Sequence, residues 1–219
     1  MHDSIKNYIH ITSAIKLKLE DQKNNKIPKI IAVSKTFKLE RILPLLDFGH
    51  LDYGENKVQE AIDKWTDIKM RKPSIRLHLI GKLQTNKVKF ALKIFDYIHS
   101  VDSKKLAKKI ADEQNKLNKK IKIFLQVNIA NENQKSGIVK EELLDLSKYC
   151  KELNLDIVGL MCLPPIKENP IKYFQETFKL NQKLAYSELS MGMSSDYLKA
   201  IENHSTYLRI GSGIFGSRD

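Results

Sequence analysis

A lysine follows the first apolar run of this chain. Residues 30–33 (IIAV) come after Pro28 and are typical of a short buried strand, and Ser34 and Lys35 stand where that strand ends. A lysine in this place is either a solvent-exposed loop residue or a primary amine at the mouth of a pocket, where it can form a Schiff base with an aldehyde. Because the chain is rich in lysine, the residue type does not decide between them. The position of Lys35 relative to other polar residues does.

Two loops late in the chain are suited to binding a phosphate group. Ser194 and Ser195 precede an apolar helical stretch and are candidates for its N-cap. Gly211 and Ser212 begin a GSG segment whose glycines allow backbone amides to approach a ligand closely. The alternative is that Ser194 is only a helix cap and the glycines form only a turn. These residues alone leave both interpretations open.

An arginine lies inside the last predicted strand, in the sequence TYLRIG. By the alternation of side chains along a strand, Arg209 shares a face with Tyr207 and Gly211. If that face lines the interior of the protein, the guanidinium needs a partner, because buried charges are rarely tolerated alone. A ligand ring nitrogen, or an internal carboxylate such as Glu55 or Asp52, would serve. The sequence does not distinguish these partners.

The elements that must position these residues alternate regularly between strands and helices. Strands are predicted at 29–34, 50–54, 77–80, 97–101, 121–128, 156–163, 188–191 and 206–210. Helices are predicted at 38–47, 55–69, 84–93, 103–118, 139–153, 170–187 and 194–203, and a further N-terminal helix at 3–23 has Ile5, Ile9, Ile15 and Leu19 for its inner face. This alternation predicts a single α/β domain over residues 1–219, a (β/α)8 TIM-type barrel with an extra N-terminal helix. The runner-up is an open doubly wound sheet, but the first strand-to-helix turn lacks the glycines of a dinucleotide fingerprint.

Composition argues against several classes of protein. No stretch approaches the roughly 18 consecutive apolar residues of a membrane span, and the N-terminal segment does not resemble a signal peptide, so we expect a cytoplasmic protein without a membrane partner. The net charge is +12, yet few of the 38 basic residues are arginine. The densest lysine run, 104–120, carries two acidic residues and no aromatic, which favours a solvated outer helix over a nucleic-acid surface. Cys150 and Cys162 have no metal-ligand spacing and are interpreted as small apolar residues.

Seven blocks of sequence together resemble one known family. They are AVSK (32–35), YGENKVQE (53–60), HLIGKLQTNK (78–87), QVNIANENQKSG (126–137), GLMCLPP (159–165), LSMGMSSD (189–196) and RIGSGIFGSRD (209–219). In this order they are similar to the YggS/PROSC family of pyridoxal phosphate homeostasis proteins. The resemblance implies a barrel like the N-terminal domain of alanine racemase that holds pyridoxal 5'-phosphate as a lysine aldimine. It covers nearly the whole chain.

The resemblance also implies a role for individual residues. Lys35 would be the aldimine lysine, and Asn56 would lie beside the cofactor ring. Arg209 would face the pyridine nitrogen. The phosphate would be held by Ser194, Gly211 and Ser212, and the pocket would also be lined by Ser190 and Met191. We assign no catalytic residue and no metal ligand, and we interpret His78 and His99 as core or rim residues.

The same resemblance predicts a carrier or regulator of the cofactor rather than an enzyme. An arginine at the pyridine nitrogen should leave it unprotonated and weaken carbanion stabilisation. Alanine-racemase-like enzymes add a second domain with a catalytic tyrosine, whereas this chain ends at Asp219, soon after the eighth strand. We therefore expect a monomeric protein in pyridoxal phosphate homeostasis, with apo-enzymes of this cofactor as possible recipients. The alternatives are a fold-type III racemase or lyase, a nucleic-acid binder using the 104–120 lysines, and a cofactor-free barrel enzyme acting on a sugar phosphate.

Overall fold

Eight parallel strands form a closed barrel in the computed structural model, which describes residues 1–21, 26–132, 134 and 136–217. Each strand pairs with the next along the chain, and the last pairs with the first through four Cα partners. The strands are β1 (Lys29–Val33), β2 (Asp52–Glu55), β3 (Arg76–Leu79), β4 (Tyr97–Val101), β5 (Lys122–Val127), β6 (Asp156–Cys162), β7 (Glu188–Met193) and β8 (Tyr207–Ile210). The predicted barrel is confirmed, and the open-sheet alternative is wrong because β1 and β8 close the ring.

Helices follow the strands and cover the outside of the barrel. They are α1 (Asp3–Asp21), α2 (Leu39–Asp47), α3 (Val58–Arg71), α4 (Val88–Ile94), α5 (Lys104–Leu117), α6 (Lys140–Glu152), α7 (Ile171–Lys183), α8 (Tyr197–Glu202) and α9 (Ser212–Phe215), with a 3-10 turn at Thr85–Lys87 before α4. Within the described ranges, no helix combines the length and apolar character that a membrane crossing needs.

The core has two layers because successive side chains of a strand point to opposite faces. The outer core, between strands and helices, contains the largest buried rings, including Trp65, Phe95 and Phe174. The inner core fills the barrel and is smaller; its apolar members are Ile31, Val33, Tyr97, Phe124, Met161 and Tyr207. Polar side chains share this interior, so the barrel is a packed core that also carries hydrogen bonds along its axis.

Helix α1 packs against α2, α8 and α9 on the outside of the barrel, through a stripe that the sequence predicted only in part. Ile11, Ile15 and Leu19 are buried, whereas Ile9 is 38% exposed. The prediction of Ile9 as an inner residue is wrong, because the buried stripe repeats at Ile11, Ile15 and Leu19, four residues apart. Asn7 joins this helix to the end of the chain by donating to the carbonyl oxygen of Ile214 at 3.0 Å. Residues 22–23 of the predicted helix lie outside the described residues.

Candidate functional site

A cavity of about 360 Å³ opens at the carboxyl ends of the strands, where barrel enzymes place their active sites. It brings together residues from β1, β7 and β8 and from the loops that follow β1, β2, β3, β6, β7 and β8. The residues that line it are Val33, Lys35, Asn56, Ile80, Leu163, Met193, Ser194, Ser195, Arg209, Gly211 and Ser212. A second cavity, of about 370 Å³, lies at the opposite end of the barrel beside α1, and none of the predicted site residues lines it. The carboxyl-end cavity is therefore the candidate site.

The turn that presents Lys35 is held against α3 from both sides. Ser34 accepts at its carbonyl oxygen a hydrogen bond from Lys64 Nζ at 2.9 Å, and its hydroxyl donates to Glu55 Oε1 at 2.7 Å. On the other side of Lys35, the Thr36 backbone N–H donates to Glu60 Oε1 at 2.5 Å. Thr36 has a φ of 66°, a left-handed conformation that an unrestrained threonine rarely adopts. These contacts fix the backbone on which the half-buried Lys35 side chain stands.

We call the contacts of Ser34, Glu55, Glu60 and Lys64 around Lys35 the clamp. Glu55 is its centre and is not a partner of Arg209. Its Oε1 atom also accepts hydrogen bonds from Lys64 Nζ at 3.0 Å and from Trp65 Nε1 at 2.9 Å. Burial raises the pKa of the Glu55 carboxyl, while Lys64, Trp65 and Ser34 act in the opposite direction. All three donors point at Oε1, whereas Oε2 is buried and has no hydrogen-bond partner among the described residues.

Ser194 joins the loops after β7 and β8. Its hydroxyl oxygen accepts the backbone N–H groups of Gly211 at 3.3 Å and Gly213 at 3.0 Å. Gly213 is close-packed here, since a Cβ atom on it would lie 3.1 Å from Ile210 Cγ2 and 3.4 Å from Ser194 Oγ. The N-cap residue of α8 is Asp196, so the prediction of Ser194 or Ser195 as the cap is wrong. Ser194 instead shapes the floor of the cavity, with the Ser212 hydroxyl exposed beside it.

Arg209 reaches the cavity from the barrel interior and is 4% exposed. Its NH1 group donates to the carbonyl and hydroxyl oxygens of Ser190, each at 2.6 Å, and NH2 donates to the Cys162 carbonyl at 2.9 Å. Burial lowers the pKa of the guanidinium. The internal carboxylate suggested by the sequence is neither Glu55 nor Asp52, because Asp52 binds Arg76 and His78 at the amino end of the barrel. The acceptors of Arg209 are neutral.

Comparison with known proteins identifies the family to which this chain belongs. The family model for the N-terminal domain of alanine racemase matches residues 13–219. The pyridoxal phosphate homeostasis protein of Vibrio alginolyticus is 37% identical over 97% of this chain and 97% of its own. The chain belongs to the pyridoxal phosphate homeostasis protein family. The predicted resemblance is confirmed.

Solved structures of PipY, described as a member of the COG0325 family, are also similar to this chain. PipY of Synechococcus elongatus is 32% identical to this chain over 92% of it and 100% of PipY. The TM-score is 0.83 for PipY without pyridoxal phosphate and 0.77 for PipY with pyridoxal phosphate bound. A protein of the same fold that is 32% identical to this chain has therefore been solved with pyridoxal phosphate bound.

Two of the site residues predicted from the sequence of this chain lie outside the cavity lining. Ser190 is fully buried one layer below it, in contact with Arg209. Met191 is fully buried in the outer core, so the expectation that it lines the pocket is not met; Met193 does so instead. The reason is an irregularity in β7, where Gly192 has a φ of 87° and the register with β8 shifts between Ser190 and Met193. The glycine within the strand was the available signal, because glycine in a strand interior often marks a bulge.

Histidines are buried beneath this site. His78 and His99 are fully buried, and the Nδ1 atom of the first lies 3.0 Å from Nε2 of the second. Burial lowers the pKa of both rings, although Asp52 acts in the opposite direction at His78. His50, at the amino end of the barrel, is also buried, and burial lowers its pKa. All three rings are therefore neutral at pH 7.

These histidines make stability depend on pH. In the unfolded chain each ring takes up a proton below a pKa of about 6.5, whereas burial lowers the pKa of the ring in the folded protein. As the pH falls below about 6.5, the unfolded state therefore binds more protons than the folded state, and the folded state loses stability. We expect the free energy of unfolding to drop between pH 7 and pH 5 by up to about 2 kcal/mol for each ring that stays neutral. Urea unfolding at several pH values measures this slope. A flat profile between pH 7 and pH 5 would contradict the prediction.

Proposed function

We propose that this protein binds pyridoxal 5'-phosphate in the carboxyl-end cavity, with Lys35 as the covalent attachment point, and acts in pyridoxal phosphate homeostasis as a carrier or buffer of the cofactor. The observation that supports this most is the convergence of Lys35, Arg209 and the Ser194–Gly211 contact on one cavity. The names of the relatives and the bound cofactor in PipY agree with it.

The residues of the cavity fit the groups of this cofactor. The volume of the cavity, about 360 Å³, is in the usual range for a small-ligand site. The amine of Lys35 suits the aldehyde, and the phosphate would be held by Ser194, Gly211 and Ser212. Asn56 would lie beside the ring. The apolar side chains that would form walls for the ring are Val33, Ile80, Leu163 and Met193. Pyridoxal phosphate supplies an electrophilic aldehyde and a ring that can accept electrons.

Arg209 and the rest of the lining support binding more than turnover. A guanidinium donates a hydrogen bond to a ring nitrogen but does not give up its proton at neutral pH, so the nitrogen remains unprotonated and a weak electron sink. Among the described residues that line the cavity, the ionisable side chains are Lys35 and Arg209. Racemisation needs groups that take a proton from one face and return it to the other, and Lys35 alone provides one such group.

The lysines of α5 support a solvated helix rather than a nucleic-acid surface. Lys108 lies 2.8 Å from Asp112, and Lys109 and Lys116 lie 2.8 Å and 3.2 Å from Glu113. These pairs offset part of the positive charge that phosphate binding would require. The carboxyl-end cavity is the better candidate for the ligand of this protein.

Trapping with borohydride tests the attachment point. We expect the parent protein mixed with pyridoxal phosphate to keep the cofactor after reduction and denaturation, with the added mass on the peptide that contains Lys35. Lys35→Ala should lose this label, because no other amine lines the described part of the cavity. Lys38→Ala is the matched control, since Lys38 is an exposed lysine of the same turn and does not line the cavity.

The outcomes separate the competing functions. A parent protein that takes up no pyridoxal phosphate, or a Lys35→Ala variant labelled as strongly as the control, would overturn the proposal. A parent protein that takes up pyridoxal phosphate is then incubated with L- and D-amino acids, and conversion of the amino acids is measured. Conversion that depends on Lys35 would establish the racemase or lyase alternative in place of the carrier.

A further inference from the structure

A chain of hydrogen bonds runs along the barrel axis from the candidate site to the opposite end. We call its members below Arg209 the axial relay: Ser190, His99, His78 and Asp52. Arg209 NH1 lies 2.6 Å from Ser190 Oγ, and Ser190 Oγ lies 2.9 Å from His99 Nδ1. His99 Nε2 lies 3.0 Å from His78 Nδ1, and His78 Nε2 lies 3.0 Å from Asp52 Oδ1. Every member is less than 10% exposed.

The two ends of the relay agree on one direction of donation, which the lower end fixes. At the upper end, Arg209 can only donate, so Ser190 Oγ accepts from it and keeps its own hydrogen available for His99 Nδ1. At the lower end, Arg76 binds Asp52 through Nε at 2.7 Å and NH2 at 2.5 Å. Although burial raises the pKa of Asp52, Arg76 and His78 together lower it, so the carboxylate is ionised and accepts from His78 Nε2–H.

The middle of the relay is then determined. A neutral His78 with its hydrogen on Nε2 has a free lone pair on Nδ1, which must accept from His99 Nε2–H. His99 in turn accepts from Ser190 at Nδ1. Both rings are the Nε2–H tautomer, and each hydrogen bond donates away from Arg209 and toward Asp52. Consecutive bonds with one direction polarise one another, so the carboxylate at the amino end strengthens the acceptor that Arg209 meets at Ser190.

We propose that the axial relay positions Arg209, so that Ser190, His99, His78 and the distant Asp52 set how the guanidinium is held toward a ring nitrogen in the cavity. This inference rests on the proposed function, because the ring nitrogen is that of the cofactor. Asp52 and the histidines act through Arg209 and do not line the cavity.

A purely structural role for the histidines would have different consequences. His99 stacks on Phe124 with ring centroids 4.2 Å apart, and His78 stacks on Tyr97 at 4.4 Å. These contacts stabilise the inner core whatever the ring tautomer. Packing alone would therefore alter stability in a variant without altering how the protein discriminates between a ligand with a ring nitrogen and one without it.

The first test uses the ligand-free protein. Proton–nitrogen correlation spectra of the histidine rings at pH 7 should show His78 and His99 neutral with the hydrogen on Nε2. A charged ring, or a hydrogen on Nδ1 of either, would overturn the relay. This readout does not depend on any cofactor, so it stands apart from the proposed function.

The second test compares the binding of pyridoxal 5'-phosphate with that of its 1-deaza analogue, in which carbon replaces the ring nitrogen. For Ser190→Ala we expect the Kd for pyridoxal phosphate to rise about tenfold and the Kd for the analogue to change less than about twofold. Asp52→Asn should shift selectivity in the same direction, by about threefold. Asp47→Asn is the control, because Asp47 also pairs with a cation, Lys72, near the amino end of the barrel, and its charge acts on neither His78 nor His99.

The outcomes distinguish the two proposals. Failure of the parent protein to bind pyridoxal phosphate would overturn the proposed function. Binding by the parent, with equal losses for both ligands in Ser190→Ala or no loss for either, would overturn the relay alone. A cooperative thermal unfolding transition shows that each variant is folded. If Asp52→Asn does not fold, the selectivity measured for Ser190→Ala, which is the smaller change, decides the test.

Discussion

Replacement of Glu55 by alanine is expected to lower the free energy of unfolding by about 3–5 kcal/mol. The carboxylate is fully buried and accepts from Ser34 Oγ, Lys64 Nζ and Trp65 Nε1 at 2.7–3.0 Å. Its removal leaves an ammonium group with 10% exposure and a buried indole N–H without this acceptor. The variant should also take up less pyridoxal phosphate, because the same contacts hold the turn that presents Lys35.

Glu60 provides the matched control for this prediction. It also accepts from Lys64 Nζ at 3.0 Å and from the Thr36 N–H at 2.5 Å, but its side chain is 25% exposed, so water can replace both contacts. Urea unfolding at pH 7 should show a loss of about 1 kcal/mol or less for Glu60→Ala. The double variant Glu55→Leu, Lys64→Met removes both charges and should recover part of the loss of Glu55→Ala. Equal losses for Glu55→Ala and Glu60→Ala would contradict the interpretation of Glu55 as the centre of the clamp.

The barrel was predictable because its signals are local. Each apolar run of four to eight residues indicates a strand, and regular alternation with amphipathic stretches leaves few topologies for the sheet. The ends of the strands were equally informative, since Lys35, Asn56 and Gly211 each follow or close a strand and all line one cavity. For these residues, position in the chain was enough to predict proximity.

The sequence could not predict features that depend on partners far along the chain. The predicted helix begins at Glu55, whereas Glu55 ends β2 and pairs with Leu79 of β3. The family resemblance placed Met191 in the pocket, and the irregularity at Gly192 gives that place to Met193. For Arg209 the sequence allows a ligand ring nitrogen or an internal carboxylate as partner, and within the protein the carbonyl oxygens of β6 and β7 accept from it instead of a carboxylate. Each of these outcomes is a property of the assembled barrel.

Substitution of Arg209 by leucine is expected to damage both stability and cofactor binding. The side chain is 4% exposed and donates three hydrogen bonds, two to Ser190 and one to the Cys162 carbonyl. Leucine leaves these buried oxygens without the donor, which should cost about 2–5 kcal/mol in the free energy of unfolding. Arg209→Lys should lose less, because an ammonium can reach some of these oxygens but cannot reproduce the planar fork.

Arg41 is the matched control, since its Nε also donates to a backbone carbonyl, that of Phe215 at 2.9 Å. That contact is partly exposed, so water can satisfy the carbonyl in Arg41→Leu and we expect a loss of only about 1 kcal/mol. Denaturant unfolding measures the stability of each variant, and titration with pyridoxal phosphate measures its affinity. Both Arg209 variants should bind the cofactor more weakly than Arg41→Leu, because only Arg209 lies in the cavity lining. If Arg209→Lys keeps the parent affinity, the planar geometry of the guanidinium is not what the ring nitrogen requires, and a single positive charge at the base of the cavity is sufficient.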